Sequence, residues 1–271
     1  MRDSQYQDLP YKLNERPHDY GNHVHLLSDP YLITKLARLC HPDCVQPEVN
    51  RLFQYLYRSM GRELANHYFT RTNTTSPTRM LQSHPEANYE GQLIDPSTRV
   101  VIVSMARAGI IPSLELFDLY SDLLDPKFVR VDHVMINRAT DENHQITGAT
   151  IHGSKIGGDV DGATVIIPDP MGATGSSLNT IISQYKNVVK GTPKRWISVN
   201  LIVTPEFVKK VHDTHPSAEV FAIRLDRAFS SKDALSKKPG ELPDQEKGLN
   251  ENGYIVPGGG GFGELSSNAW V

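Results

Sequence analysis

Residues Thr164 to Leu178 read Thr-Val-Ile-Ile-Pro-Asp-Pro-Met-Gly-Ala-Thr-Gly-Ser-Ser-Leu. The opening run, Thr164 to Ile167, is β-branched and uninterrupted, as expected of a strand buried on both faces. Asp169 follows at its carboxyl end, and a loop of small residues then leads into Ser176 to Val189. There Leu178, Ile181, Ile182, Tyr185 and Val189 recur at helical spacing. Strand, acid, small-residue loop and helix together make a phosphate cradle. Small residues let the backbone approach an anion, N–H groups converge at the helix N-terminus, and Thr174, Ser176 and Ser177 add hydroxyls. Ser and Thr are also ordinary helix caps, so the loop alone leaves both readings open. Asp169 favours the cradle, because an acid at that position reaches ribose hydroxyls while the loop holds a 5′-phosphate. The Gly-Lys-Ser/Thr ending of an NTP-binding loop and the spacing of a dinucleotide fingerprint are both missing, which points away from ATP and NAD.

Outward from this stretch the pattern alternates. Val100 to Val103, Phe128 to Ile136, Trp196 to Val203 and Val220 to Leu225 read as strands, and Pro112 to Tyr120 and Pro205 to His212 as helices. Such alternation predicts an α/β domain with a mostly parallel sheet flanked by helices, whose ligands bind beyond the carboxyl ends of the strands. Upstream, Val49, Leu52, Phe53, Leu56, Met60 and Leu64 give Pro47 to Phe69 the clearest amphipathic helix in the chain. Arg71 to Ser83 is polar and rich in Thr and Ser. Residues 1–23 read as an arm or extension available to a partner subunit, with Pro10 and Pro17 and no sustained period. Ser230 to Gly248 reads as an exposed insertion.

The chain has 271 residues, 38% of them hydrophobic, enough for one large core. Its 28 basic and 31 acidic residues leave a net charge of -3, so no general field favours nucleic acid or an anionic membrane, and any phosphate site must be local. No secretory signal and no membrane-spanning run is visible, which predicts a cytoplasmic protein. The two cysteines, Cys40 and Cys44, form no disulfide framework. Their spacing has no second ligand pair, so they read as ordinary thiols and no protein-held metal is assigned.

Asp169-Pro-Met-Gly-Ala-Thr-Gly-Ser-Ser177 resembles the 5-phosphoribosyl diphosphate motif of the uracil phosphoribosyltransferases, in which Asp-Pro replaces the acid pair of most relatives. The family has Leu at the position of Gly172 and Gly at that of Ser176. Ser104-Met-Ala-Arg107-Ala108-Gly109-Ile110 is similar to the family's Arg-Ala-Gly loop. Arg138 resembles a second family Arg, and Lys155 the Lys before the phosphate-loop strand; as residues alone, both also read as solvated loop charges. Gly248-Leu-Asn-Glu-Asn-Gly-Tyr254-Ile255-Val-Pro-Gly258 matches the family's uracil-binding segment, although a glycine-rich tail can also be a linker. Asp226 resembles the family's Asp upstream of that segment. Where the family continues Gly-Leu-Gly-Asp-x-Gly-Asp, this chain has Gly261 and Glu264 in place of the two acids.

The resemblance implies a type I phosphoribosyltransferase fold over residues 24–271, with residues 230–248 as an insertion and 249–264 as a base-binding, C-terminal hood. It implies transfer of phosphoribosyl to uracil, giving UMP and diphosphate. Asp169, Arg107, Arg138 and Lys155 would be catalytic. Ala108, Gly109, Met171, Gly172, Ala173, Thr174, Gly175, Ser176 and Ser177 would hold the donor, and Tyr254, Ile255, Gly260 and Glu264 the acceptor side. Mg²⁺ bound through the diphosphate and a homodimer or larger homo-oligomer belong to the same expectation. A different acceptor base, or a non-catalytic sensor of the donor or UMP, is the alternative that Gly261 and Glu264 leave open.

Overall fold

The computed structural model describes residues 3–140 and 146–270. Ten strands and seven α-helices follow in the order β1 (Val24–Leu26), α1 (Pro30–Leu39), α2 (Glu48–Tyr68), β2 (Arg71–Pro77), β3 (Asn88–Ile94), β4 (Val100–Ala106), α3 (Ile110–Leu123), β5 (Val129–Thr140) and β6 (Ile146–Lys155). They continue with β7 (Thr164–Pro168), β8 (Met171–Gly172), α4 (Ser176–Val188), β9 (Arg195–Val203), α5 (Pro205–Thr214), β10 (Ala218–Leu225), α6 (Lys232–Ser236) and α7 (Phe262–Ser267).

One sheet takes the order β1-β10-β9-β7-β4-β5-β6, with β8 paired to β9. Its ladders are parallel except that of β5 with β6. The central strands are mostly apolar, and alternate residues serve opposite cores. Ile102 and Ile166 face α1, α2 and α3, with Phe53, Leu56, Met60 and Leu116. Val101, Val103, Val165 and Ile167 face α4 and α5, with Leu178, Ile182, Phe207 and Val211. The helices after β4 and β7 therefore lie on opposite faces, and the crevice beyond those neighbouring strands is the switch point where an open α/β sheet binds its ligand.

β5 and β6 form a hairpin that runs past the sheet. Met135 is level with Ala106, the last residue of β4, yet β5 continues to Thr140 against β6. Of the Arg71 to Ser83 stretch, polar in sequence, Arg71–Pro77 is strand β2, paired antiparallel to β3 in a separate two-stranded ribbon. The arm lies along its own chain: Gln7 donates to the Glu90 carbonyl, Arg71 to that of Leu9, and Leu13 is buried. The 230–248 segment is anchored as well as exposed. Arg227 binds Glu246 and the carbonyls of Ala234 and Lys237, Tyr20 of the arm donates to Glu246, and Ala234 is fully buried. Among the described residues no helix is long and apolar enough to cross a membrane.

Candidate active site

Asp169 stands one residue beyond β7. Its N–H donates to Val199 O at 3.0 Å, its carbonyl accepts from Asn200 Nδ2 at 2.7 Å, and its carboxylate accepts from Met171 N at 3.2 Å. Tyr57 lies in the same layer, its hydroxyl donating to Val199 O at 3.2 Å. Complete burial, with the Asp169 charge, pushes the Tyr57 phenol well above its ordinary pKa. Its proton is therefore fixed.

The loop from Met171 to Gly175 is tied down from α5. Thr204, the cap of that helix, donates from Oγ1 to Ala173 O at 2.6 Å and accepts from Phe207 N at 3.0 Å. Gly172 leaves no room for a side chain: a Cβ there would meet Val203 Cγ1 at 2.9 Å and the Phe207 ring at 3.1 Å. Phe207 thus fills the space that a Leu would need. Gly175 turns the chain into α4 at φ +77°, a left-handed conformation that favours glycine. No side chain caps α4, so Thr174 and Ser176 spend their hydroxyls elsewhere. Thr174 Oγ1 donates to Ser176 Oγ at 3.1 Å and accepts from Ser176 N at 3.3 Å. Lys210 Nζ of α5 donates to Ser176 Oγ at 2.9 Å. The open first turn of α4, with hydroxyls beside it and an exposed ammonium in reach, has the donors that a dianion needs.

Arg107 to Gly109 form the neighbouring loop after β4. The Ala106–Arg107 peptide is cis. Gly109 allows the loop to lie against the end of β7, since a Cβ there would sit 2.8 Å from both Met105 O and Pro168 O. The two loops are therefore fixed against each other through backbone. Arg107 is half-exposed and paired: Nη2 donates to Glu264 Oε1 at 3.0 Å and Nη1 to Ala269 O at 2.8 Å. Helix α7 brings this carboxylate in, and a Cβ at its Gly263 would lie 3.6 Å from Ala108 N. The tail accordingly covers the Arg107 loop.

Glu206, in the first turn of α5, accepts from the N–H groups of Gly248 and Leu249 at 3.0 to 3.1 Å and starts the tail beside the phosphate loop. Leu249 and Ile255 are buried and bridged to each other, and Asn250 closes the turn between them by accepting from Asn252 N and Tyr254 N. Tyr254 is exposed. Beyond it Gly260, at φ +83°, has open space where a side chain would be. The tail is held by these contacts, and the linker reading does not apply to it.

Asp169, the Met171–Ser177 loop, the Arg107–Gly109 loop, Glu264 and the 254–260 segment thus share the carboxyl edge of the sheet. Lys155 does not join them: it is exposed at the end of β6 opposite His133, two strands from β4. Arg138 lies in the projecting part of β5, and its side chain falls outside the described residues. Lys210 was missed by the sequence reading, because it sits on another helix and belongs to no motif.

The uracil phosphoribosyltransferase family model matches residues 26–246. The chain belongs to the uracil phosphoribosyltransferase family. It is 28% identical over 252 residues to the uracil phosphoribosyltransferase of Thermococcus sibiricus, covering 89% of this chain and 87% of that one. The Pyrococcus furiosus protein of the same name is 28% identical over 247 residues, with 87% and 85% covered. Among solved structures, the AQ2163 protein from Aquifex aeolicus superposes with a TM-score of 0.68 at 22% identity, covering 92% of this chain and 99% of that chain. The protein is a phosphoribosyltransferase, and its mostly parallel sheet with helices on both faces is that of the type I phosphoribosyltransferase fold. In this family member the phosphate loop, the Arg-Ala-Gly loop and the hood lie on one edge.

Proposed function

We propose that this phosphoribosyltransferase moves the phosphoribosyl group of 5-phosphoribosyl diphosphate to N1 of uracil, releasing UMP and diphosphate. The observation that carries the reading is the placement of the α4 phosphate loop, Asp169 and the Arg107 loop around the β4/β7 crevice, under a tail that resembles the family's uracil segment. The N1–C1′ bond forms as the C1′–O bond to diphosphate breaks, diphosphate leaves with the electron pair, and the N1 proton passes to water.

In this scheme the N–H groups of Ala173 to Ser177 and the Thr174, Ser176 and Ser177 hydroxyls hold the 5′-phosphate, with Lys210 adding charge. Met171 and Gly172 shape the loop that carries them. Asp169 holds the ribose and faces the positive charge that develops at C1′ as the bond breaks. Arg107, with the Ala108 and Gly109 backbone, receives the diphosphate. Tyr254, Ile255 and Gly260 border the acceptor, whose planar edge is read by backbone N–H and C=O groups. Catalysis is then electrostatic and positional.

The donor set fits Mg²⁺ carried by the substrate. Among the described residues no group of three His, Cys, Asp or Glu is placed to hold a metal, and the carboxylates at the site are Asp169 and Glu264. Magnesium commonly binds through phosphate oxygens, one or two carboxylates and water. When bound it would offset the diphosphate charge. A cytoplasmic location and a homodimer or larger homo-oligomer complete the proposal on grounds of family.

A second reading, transfer to another base or binding without turnover, is favoured by one observation: Glu264 already occupies Arg107. Incubation with donor, Mg²⁺ and uracil, followed by chromatography for UMP, separates the readings. UMP supports the uracil assignment, while donor binding with no diphosphate released from any base supports the sensor.

A further inference from the structure

Gly258, two residues before Gly260, has both its backbone polar groups engaged by two side chains from the end of β10. Its N–H donates to Asp226 Oδ2 at 2.8 Å, and its carbonyl accepts from Arg224 Nη2 at 2.8 Å. The two side chains are themselves paired as a fork, with Arg224 Nε to Asp226 Oδ1 at 2.7 Å and Nη2 to Oδ2 at 2.8 Å. Residues two apart in extended chain point the same way, so the end of β10 and the residue just beyond it present base and acid together. Asp226 is only 2% exposed, and its own N–H donates to Val203 O at 2.8 Å, which ties it to β9. The clamp is therefore referenced to the central sheet.

Such a clamp does more than stabilise a turn. A residue whose N–H and C=O are both held cannot turn either of its two flanking peptides without breaking a charge-assisted hydrogen bond, the stronger kind in a partly buried place. On its far side, Gly259 lies over Cys40 and Phe262: a Cβ there would be 2.9 Å from Cys40 Sγ and would overlap the Phe262 ring. Phe262 packs edge-on against Phe53 of α2 at 5.3 Å between centroids. Gly258 is thus gripped from β10 and Gly259 is supported from α2, so Gly260 is held at a defined height above the crevice. Neither Arg224 nor Asp226 lies in the Asp169–Ser177 loop or the Arg107–Gly109 loop.

We propose that Arg224 and Asp226 are positioning residues for acceptor recognition, setting the base-reading backbone of residues 255–260 without touching the base. This rests on the reading of that segment as the acceptor site. A planar base is discriminated by backbone groups only if they stand still, because a displacement near 1 Å leaves wrong and right partners equally unpaired. Arg is required at 224 because its planar fork meets the carboxylate and the carbonyl together, which a lysine ammonium does not reproduce.

The test uses the full chain as Asp226→Asn and Arg224→Lys. Each is expected to raise the KM for uracil by about tenfold or more, the scale set by slight misplacement of a recognition group, while the KM for the donor stays as in the parent. Equal rises in both KM values, or no change in either, would overturn the proposal by making the pair structural or idle. Hydrogen–deuterium exchange keeps the idea testable if uracil is not the acceptor. The peptide covering residues 255–260 should exchange faster in both variants, with the Asp169–Ser177 region unchanged. Unaltered exchange there overturns the clamp, whereas faster exchange in a protein that turns over another base sinks only the uracil assignment. If Asp226→Asn does not fold, Arg224→Lys, which keeps the charge and loses the fork, carries the same comparisons.

Discussion

Arg107 and Glu264, 157 residues apart in the chain, meet through a hydrogen bond of 3.0 Å. The guanidinium proposed to receive diphosphate is therefore already neutralised by the tail. On that proposal, donor binding would exchange one anionic partner of Arg107 for another.

Glu264→Gln is expected to tighten donor binding. The pair is about one-third exposed at each side chain, and pairs of this kind contribute about 1 kcal/mol at most, so the gain in donor affinity should not exceed about fivefold. Calorimetric titration of the donor checks this. Weaker binding in the variant would show that the carboxylate assists the diphosphate. Gly261→Asp tests the same region from the other side, since a Cβ at 261 would lie 2.5 Å from Glu264 Oε2. The added carboxylate should weaken donor binding unless Glu264 is shortened with it.

Asp169→Asn keeps size and hydrogen-bonding shape and removes the charge proposed to face C1′. Turnover should fall by about 100-fold or more with the fold intact, the scale of losing one preorganised electrostatic group. Single-turnover measurement with saturating donor reads the chemical step directly. An unchanged rate would reduce Asp169 to the cap of Met171.

Gly172→Leu places a side chain where Val203 and Phe207 now stand. Overpacking of this kind costs about 1–3 kcal/mol, seen as a lower midpoint in urea unfolding. Phe207→Ala in the same chain should recover part of that loss, giving a favourable coupling in the double-mutant cycle. Additive losses would mean that the loop moves away and Phe207 does not define its shape.

His25 links the arm to the sheet, with Nδ1 at 2.6 Å from Glu15 and Nε2 at 3.5 Å from Glu219. His67 and Tyr68 of α2 pack on its ring, and Arg195 of β9 pairs with Glu219. Burial pulls the His25 pKa down, but hydrogen bonds and charge from Glu219 and Glu15 outweigh it and raise the pKa above its ordinary 6.5. The folded state thus binds the proton more tightly. This stabilisation is complete below 6.5 and is lost as pH rises through the raised folded value. His18, His23 and His67 are lowered by burial and act in the opposite direction, so the informative quantity is the difference between the parent and Glu15→Gln at each pH. That difference in unfolding free energy should be largest in acid and shrink as pH rises. A gap that grows with pH contradicts the assignment.

The sheet was legible because its strands are buried on both faces. Val100 to Val103 and Thr164 to Ile167 carry unbroken β-branched runs, and helices such as α2 and α5 have one apolar face against it. β2 was not, since Arg71 to Pro77 has no buried residue and its pairing to β3 leaves no apolar alternation to detect. The 230–248 segment looked like surface because the group that anchors it is a charged pair, Arg227 with Glu246, which in sequence is indistinguishable from solvated residues. The phosphate loop was readable since its chemistry is contiguous. Lys210 and Ser176 meet across two helices, and the Arg224–Asp226 grip on Gly258 depends on a tail returning to β10, so neither leaves a local pattern.

The most direct test of the account is a competition: limiting 5-phosphoribosyl diphosphate, Mg²⁺ and equimolar uracil, cytosine, adenine and hypoxanthine, with nucleotide products resolved by chromatography. UMP is expected as the dominant product, formed with an equal amount of diphosphate. A different mononucleotide in excess, or the donor recovered intact alongside all four bases, contradicts it.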